Sequence, residues 1–192
     1  DKNKSPWLNK KQKMIIGDIL DKKALNQAVA KVNFVYNFAG ISDLNMALDK
    51  PIRSAEMNII GNLNILEACK KYKIKRFCFA STVYAESKEG GFYRCSKIAS
   101  EKYIEEFQKI YGLNYTILRY GSLYGPRADS NNGMLKIIAK AVNEKKLLYE
   151  GHEDTIREYI HVLDAAEATV SILNEKFKNQ TLNLTGQQSI KV

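Results

Sequence analysis

Phe77-Cys78-Phe79-Ala80, the stretch from Tyr93 to Tyr111, and Tyr115-Thr116-Ile117-Leu118 decide the fold. The first and last are short, nearly continuous apolar runs, the pattern of strands buried on both faces. Between them Ile98, Tyr103, Ile104, Phe107 and Ile110 form the buried side of a long helix. A helical crossover between two such strands implies that they are parallel and that the connection is right-handed. Working towards the N-terminus, Asn33-Phe34-Val35-Tyr36-Asn37-Phe38 reads as another buried strand. Pro51 opens a second long helix, Pro51 to Tyr72, with Ile52, Ala55, Ile59, Leu63, Leu66 and Cys69 at helical spacing. Further upstream, Met14-Ile15-Ile16 predicts a short strand ended by Gly17-Asp18, and Asp21 caps a helix through Ala24, Leu25, Ala28 and Val29. The alternation predicts an α/β chain with a doubly wound parallel sheet. Ligands in such sheets bind at the carboxyl ends of the strands, so the loops starting at Gly17, Phe38, Ser81 and Tyr120 matter most.

After Pro126 the regular alternation stops. A helix from Met134 to Asn143, short strands near Leu147–Tyr149 and Glu158–Ile160, a helix from Leu163 to Leu173 and a strand Thr181–Leu184 predict a smaller lobe. The expected division is 1–127 and 128–192. The chain has 192 residues, 30 Lys and Arg against 21 Asp and Glu, a formal charge of +9. The lysines are scattered and no basic stripe interleaves with aromatics, which argues against a nucleic-acid face. The three cysteines Cys69, Cys78 and Cys95 have neither disulfide nor metal spacing, and no metal site is expected. They suit a reducing compartment, and a cytoplasmic location is the expectation. No apolar run approaches the length of a membrane span.

The chemistry centres on Tyr93-Arg94-Cys95-Ser96-Lys97. Residues four apart share a helix face. A tyrosine hydroxyl is idle at neutral pH, and an ammonium beside it favours the phenolate. Tyr93 then becomes a candidate general base for a hydroxyl proton. A Tyr-xxx-Lys pair alone is weak, but a strand ends at Ala80 and presents Ser81 and Thr82 to the same end of the sheet. Either hydroxyl could hold a substrate oxygen while Tyr93 takes the proton. His161 reads as structural and His152 as exposed.

In their order, these residues resemble the extended short-chain dehydrogenase/reductase family in its NAD-dependent nucleotide-sugar epimerase/dehydratase branch, the UDP-glucose 4-epimerase-like members. Gly17-Asp18-Ile19 is similar to its GD turn, and Asn37-Phe38-Ala39-Gly40 to its small-residue loop. Asn58-x-x-Gly61-x-x-Asn64-x-Leu66-Glu67-Ala68 is similar to its N-x-x-G-x-x-N-x-L-E-A helix, and Leu118-Arg119-Tyr120 with Tyr124-Gly125-Pro126-Arg127 to its LRY…YGPR segment. Arg157-Glu158-Tyr159-Ile160-His161-Val162-x-Asp164-Ala165-Ala166 follows the family's R-(D/E)-(Y/F)-I-H-V-x-D pattern.

The resemblance implies a Rossmann-like domain and catalysis by Tyr93, Lys97 and Thr82 or Ser81. Asp18 and Ile19 would meet adenine; Phe38, Ala39 and Gly40 would pass along the cofactor phosphates and ribose. Asn58, Tyr120 and Gly121 would lie near the nicotinamide, and Lys97 would also bind its ribose. Gly61 would let its helix pack closely on the sheet. Thr82, Ser122 and Arg157 would face a nucleotide-diphosphate sugar, with Arg157 on the diphosphate. A homodimer through the two long central helices is also implied.

The sequence departs from the pattern in several places. The glycine-rich G-x-x-G-x-x-G loop and the acidic residue that selects NAD over NADP precede the GD turn in the family and do not occur here, so NADP stays open beside NAD. The expectation is a fragment lacking the N-terminal βαβ unit and part of the substrate lobe. Val83-Tyr84 follow Thr82 where the dehydratase branch has an acid pair, and the loop from Thr82 to Tyr93 is short. Ser122 stands where many 4-epimerases have Asn. The expected activity is therefore sugar epimerisation through hydride transfer. A dehydrogenase, reductase or dehydratase on the same residues is the first alternative, and a non-catalytic cofactor- or RNA-binding relative the second.

Overall fold

A computed structural model of the protein describes residues 2–147 and 156–191. Helix α1 (Lys22–Val29) starts where Asp21 accepts the backbone N–H groups of Lys23 and Ala24, the cap its position predicts. Strand β1 (Phe34–Asn37) leads through α2 (Leu44–Asp49) to α3 (Pro51–Ala55), a π-helical turn (Glu56–Ile60) and α4 (Gly61–Lys71). Strand β2 (Arg76–Thr82), a 3-10 turn (Val83–Glu86), α5 (Gly91–Tyr111) and β3 (Tyr115–Tyr120) follow. Then come β4 (Ser122–Tyr124), α6 (Gly133–Glu144), β5 (Ile156–His161), α7 (Val162–Ser171), β6 (Gln180–Leu184) and β7 (Ser189–Lys191).

Strands β1, β2, β3 and β6 form one parallel sheet in that order. Successive side chains point to opposite faces. Phe77, Phe79 and Ile117 therefore join Leu66, Ile104 and Phe107 of α4 and α5 in one core. Cys78 and Leu118 face the other way and meet Ile172 just beyond α7. The sheet is thus covered on both sides, which is why its strands read as continuous apolar runs. A charge stands at the start of β2: Arg76 is buried, and its guanidinium reaches Glu175 at 3.0 Å and the carbonyl of Ile172 at 3.3 Å. It ties the segment after α7 to the sheet.

Several expectations change. Residues 14–16 form no strand: Ile16 is largely exposed, and three apolar residues are too few to mark a ladder. The helix expected from Pro51 to Tyr72 carries the π-helical turn around Asn58, where one extra residue is accommodated in the helical path. Residues after 127 do not form a wholly separate unit. β4, β5 and β7 make a small second sheet, but β6 returns to pair with β3 in register Leu118↔Leu182. The strand expected at 147–149 and the exposure of His152 lie outside the described residues.

The resemblance has Gly61 bring its helix onto the sheet; what it accommodates is Ile19, whose side chain a Cβ at Gly61 would overlap. Gly61→Val should cost about 1–3 kcal/mol of stability. Ile19→Ala in the same chain should recover part of that loss in urea unfolding, and strictly additive losses would refute the contact.

Candidate active site

The carboxyl ends of β2 and β3, the first turns of α5, and β5 with α7 enclose a cleft of about 1860 Å³. Its floor carries Ala80, Ser81, Thr82, Tyr93 and Lys97, and its far wall includes Tyr120, Ser122 and Arg157. Tyr93 and Lys97 are both buried, one helical turn apart on α5. Thr82 ends β2, and its hydroxyl accepts the N–H of Tyr84 at 3.2 Å.

Lys97 donates to the carbonyl of Ala80 at 2.7 Å and stands 4.7 Å from the centre of the Phe79 ring and 5.8 Å from that of Tyr93. An ammonium carries three donors; the single hydrogen bond to Ala80 leaves two for a ligand. Among the described residues, no hydrogen bond joins Lys97 to the Tyr93 hydroxyl. Burial pushes the Tyr93 phenol up to about 12, against a lowering interaction with the Thr82 hydroxyl. Burial pushes the Lys97 ammonium down to about 8, with the Glu101 carboxylate pulling back. The expected depression of the Tyr93 pKa is therefore absent from this arrangement: desolvation is the largest cause of the shift at each group.

Ser81 and Thr82 part company. Ser81 is buried and donates to the Glu101 carboxylate. Glu101 also receives Arg119 in a two-pronged contact at 3.0 and 2.6 Å. Thr82 is the hydroxyl that interacts with Tyr93.

The other expected residues divide. Tyr120 lines the cleft, its hydroxyl on Thr169 and its ring 6.1 Å from Phe38, which stacks in turn on Tyr36. Gly121 and Ser122 also line it. Arg157 donates to the Tyr84 hydroxyl at 2.7 Å. Ala39 gives its N–H to Asn37, and Gly40 lies so close to Asn58 that a Cβ would meet the amide oxygen at 2.6 Å. Asn58 is not brought to the cleft. It is buried and bonded to both backbone groups of Ile41 and to Ser96, whose hydroxyl donates to the carbonyl of Tyr93. Its place is between the loop after β1 and the Tyr93 turn. Asp18 lies off the cleft as well, held by Lys2 at 2.7 Å and by the N–H of Leu20, and Lys2 lowers its pKa. Ile19 packs under Gly61 rather than on the cleft. His161 accepts the N–H of Leu163 and begins α7, a structural role as expected.

Sequence reading passed over Asn62, Glu101, Tyr84 and Glu86. Asn62, four residues from Asn58, accepts from Asn37 at 2.9 Å. Glu101, four from Lys97, shares its helix face, a spacing that could have disclosed it. Tyr84 and Glu86 sit in a turn with no periodic signal.

The profile of the NAD dependent epimerase/dehydratase family matches residues 1–185, and the chain belongs to that family. A UDP-N-acetyl-alpha-D-glucosaminuronate decarboxylase of Bacillus cytotoxicus is 32% identical over 186 residues, covering 86% of this chain and 58% of its own. The UDP-glucose 4-epimerase of Thermotoga maritima, solved with UDP-glucose, superposes with a TM-score of 0.84 at 28% identity, covering 95% of this chain and 65% of that one. The Thermus thermophilus UDP-glucose 4-epimerase, solved with NAD, gives 0.82 at 28% identity, with 95% and 66% covered. The chain therefore spans about three fifths to two thirds of the length of these proteins. Among the described residues no helix is long and apolar enough to cross a membrane.

The buried lysine has a pH signature. Its folded value of about 8 lies below the ordinary 10.5, so between those values the unfolded chain holds a proton that the folded chain has lost. Stability should rise with pH across that window. Tyr93 acts oppositely from pH 10 upward, since its folded value is the higher one. Urea unfolding between pH 8 and 10 should show the wild type gaining on Lys97→Met; parallel curves would overturn the assignment.

Proposed function

We propose that this chain forms the catalytic part of an NAD-dependent nucleotide-sugar epimerase. The observation that carries the reading is the convergence of Thr82, Tyr93 and Lys97 on the floor of one cleft whose opposite wall presents Arg157. The named activities of the two similar epimerases support it.

The residues fit a nicotinamide cofactor at its ribose end, where the two free donors of Lys97 match vicinal hydroxyls. The aromatic wall of Phe38 and Tyr120 offers a flat apolar surface beside them. NAD, when bound, supplies the acceptor and donor of hydride. Thr82 holds the sugar oxygen by a hydrogen bond, and Tyr93 would take its proton as the carbonyl forms, acting from the phenolate that Lys97 and the positive charge of an oxidised nicotinamide would favour. Tyr93 returns that proton when the carbonyl is reduced. Lys97 orients the ribose and contributes positive charge near Tyr93. Arg157 binds the substrate diphosphate through its planar fork.

Turning the keto sugar over between the two transfers gives epimerisation; releasing it gives a dehydrogenase. Val83 and Tyr84, where an elimination needs acids, favour hydride chemistry over dehydration. Self-association through α4 and α5 belongs to the same proposal. Ile60, at the end of the π-helical turn that leads into α4, and Ile110 of α5 are exposed, and apolar exposure of that kind suits a partner.

The test is interconversion of UDP-glucose and UDP-galactose, with NAD supplied, by the protein containing this chain. Tyr93→Phe should lower kcat by about 10²–10⁴-fold while UDP affinity stays unchanged. Undiminished turnover would rule out Tyr93 as the base.

A further inference from the structure

We infer that Tyr84 is a positioning residue for the anion site: its hydroxyl holds the Arg157 guanidinium at the cleft wall in the orientation that receives a nucleoside diphosphate. The inference rests on the diphosphate role proposed for Arg157. Tyr84 lines the cleft, half-buried, and accepts from Arg157 Nη1 at 2.7 Å. The guanidinium carbon lies 5.9 Å from the centre of the Tyr84 ring. The same ring stands edge-on to Tyr93, with centroids 6.5 Å apart and planes at 83°. One side chain thus touches the anion-binding arginine and the proposed base.

Arginine is long, and much of its rotamer freedom must be given up to bind a planar anion with a fixed geometry. A neighbour that already holds the guanidinium reduces what the ligand must order. A carboxylate in this position would also fix Arg157 but would offset its charge. A phenol accepts the hydrogen bond without placing a negative charge of its own beside the guanidinium.

Tyr84 is itself fixed from several sides. Its N–H goes to Thr82, and its carbonyl accepts the N–H of Ser87 at 3.0 Å and the Ser87 hydroxyl at 3.2 Å. Glu86, at the other end of the turn, is tied to Arg119 and accepts from Asn183 at 2.8 Å. Gly90 has φ of +94°, a left-handed conformation that suits glycine, and a Cβ there would press on the Tyr84 ring at 3.0 Å. The turn after Thr82 therefore carries the Tyr84 hydroxyl to Arg157 of β5.

The experiment is a double-mutant cycle read by calorimetric titration of UDP into the chain, using the wild type, Tyr84→Phe, Arg157→Ala and the double variant. Tyr84→Phe keeps the ring and removes only the acceptor. It should weaken UDP binding about tenfold, without lowering the thermal midpoint, and Arg157→Ala should weaken it further. In the Arg157→Ala background, Tyr84→Phe should have no further effect, because its influence runs through that arginine. Unchanged affinity in Tyr84→Phe, or additive losses in the double variant, would overturn the role of Tyr84 while leaving the site reading intact. A wild type that binds no UDP, or an Arg157→Ala variant that binds like wild type, would overturn the diphosphate reading and this inference with it.

Discussion

The buried ion pair of Glu101 with Arg119 is the constraint on which the site depends. Glu101 is almost completely enclosed, and a lone carboxylate there would be costly. The two-pronged guanidinium contact and the hydroxyl of Ser81 satisfy it. Those three groups come from α5, β3 and β2, so the pair fixes the helix carrying Tyr93 and Lys97 against the strand ends that supply Thr82. Arg119 extends outward to Glu86, and Glu86 to Asn183 of β6. A chain of polar contacts therefore runs from the core beneath the lysine to the turn at the cleft rim. Such a network is stabilising only when every member is satisfied. Loss of Arg119 would strand Glu101 and loosen the rim together.

Burial sets the electrostatics around this pair. Lys97 is enclosed with one hydrogen bond, and the carboxylate one turn further along α5 is the charge that keeps its ammonium from falling further. Tyr93 is pushed towards its protonated form for the same reason. Desolvation disfavours the charged state of each, whatever its sign.

The strands around Phe77-Cys78-Phe79-Ala80 and Tyr115-Thr116-Ile117-Leu118, and both long helices, are legible in the sequence because burial on both sheet faces writes continuous apolar runs and regular helical spacing. The grouping of Tyr93, Lys97 and Thr82 is legible because residues four apart share a helix face and a strand end presents its hydroxyl to the same end of the sheet. The π-helical turn at Asn58 is not, since one extra residue shifts the helical phase without changing composition. Asn58 is marked by a motif, but the contacts its polar atoms make, to the loop after β1 and to Ser96, join segments that no sequence pattern pairs. Asp18 likewise matches a motif and is held by Lys2. The return of β6 to the sheet depends on pairing with β3 across more than sixty residues, as in Thr116↔Gln180, and no local pattern encodes it.

Tyr84 shows why a short loop can matter as much as a motif. A residue in a turn has neither a period nor a buried face, so its type alone says little. Three contacts meet at it in space: a glycine that makes room for the ring, a carboxylate that anchors the turn, and an arginine from a distant strand that donates to its hydroxyl. The 3-10 turn Val83–Glu86 brings these together, because its hydrogen bonds to Thr82 and Ser87 leave Tyr84 few directions in which to project. The same turn places the Tyr84 ring against Tyr93. The apolar ring adds to the desolvation that keeps the phenol protonated, while its hydroxyl holds a positive charge within the cleft. A ligand that engaged Arg157 would therefore act on a side chain in contact with Tyr93, so the proposed anion site and the proposed base share one mechanical element.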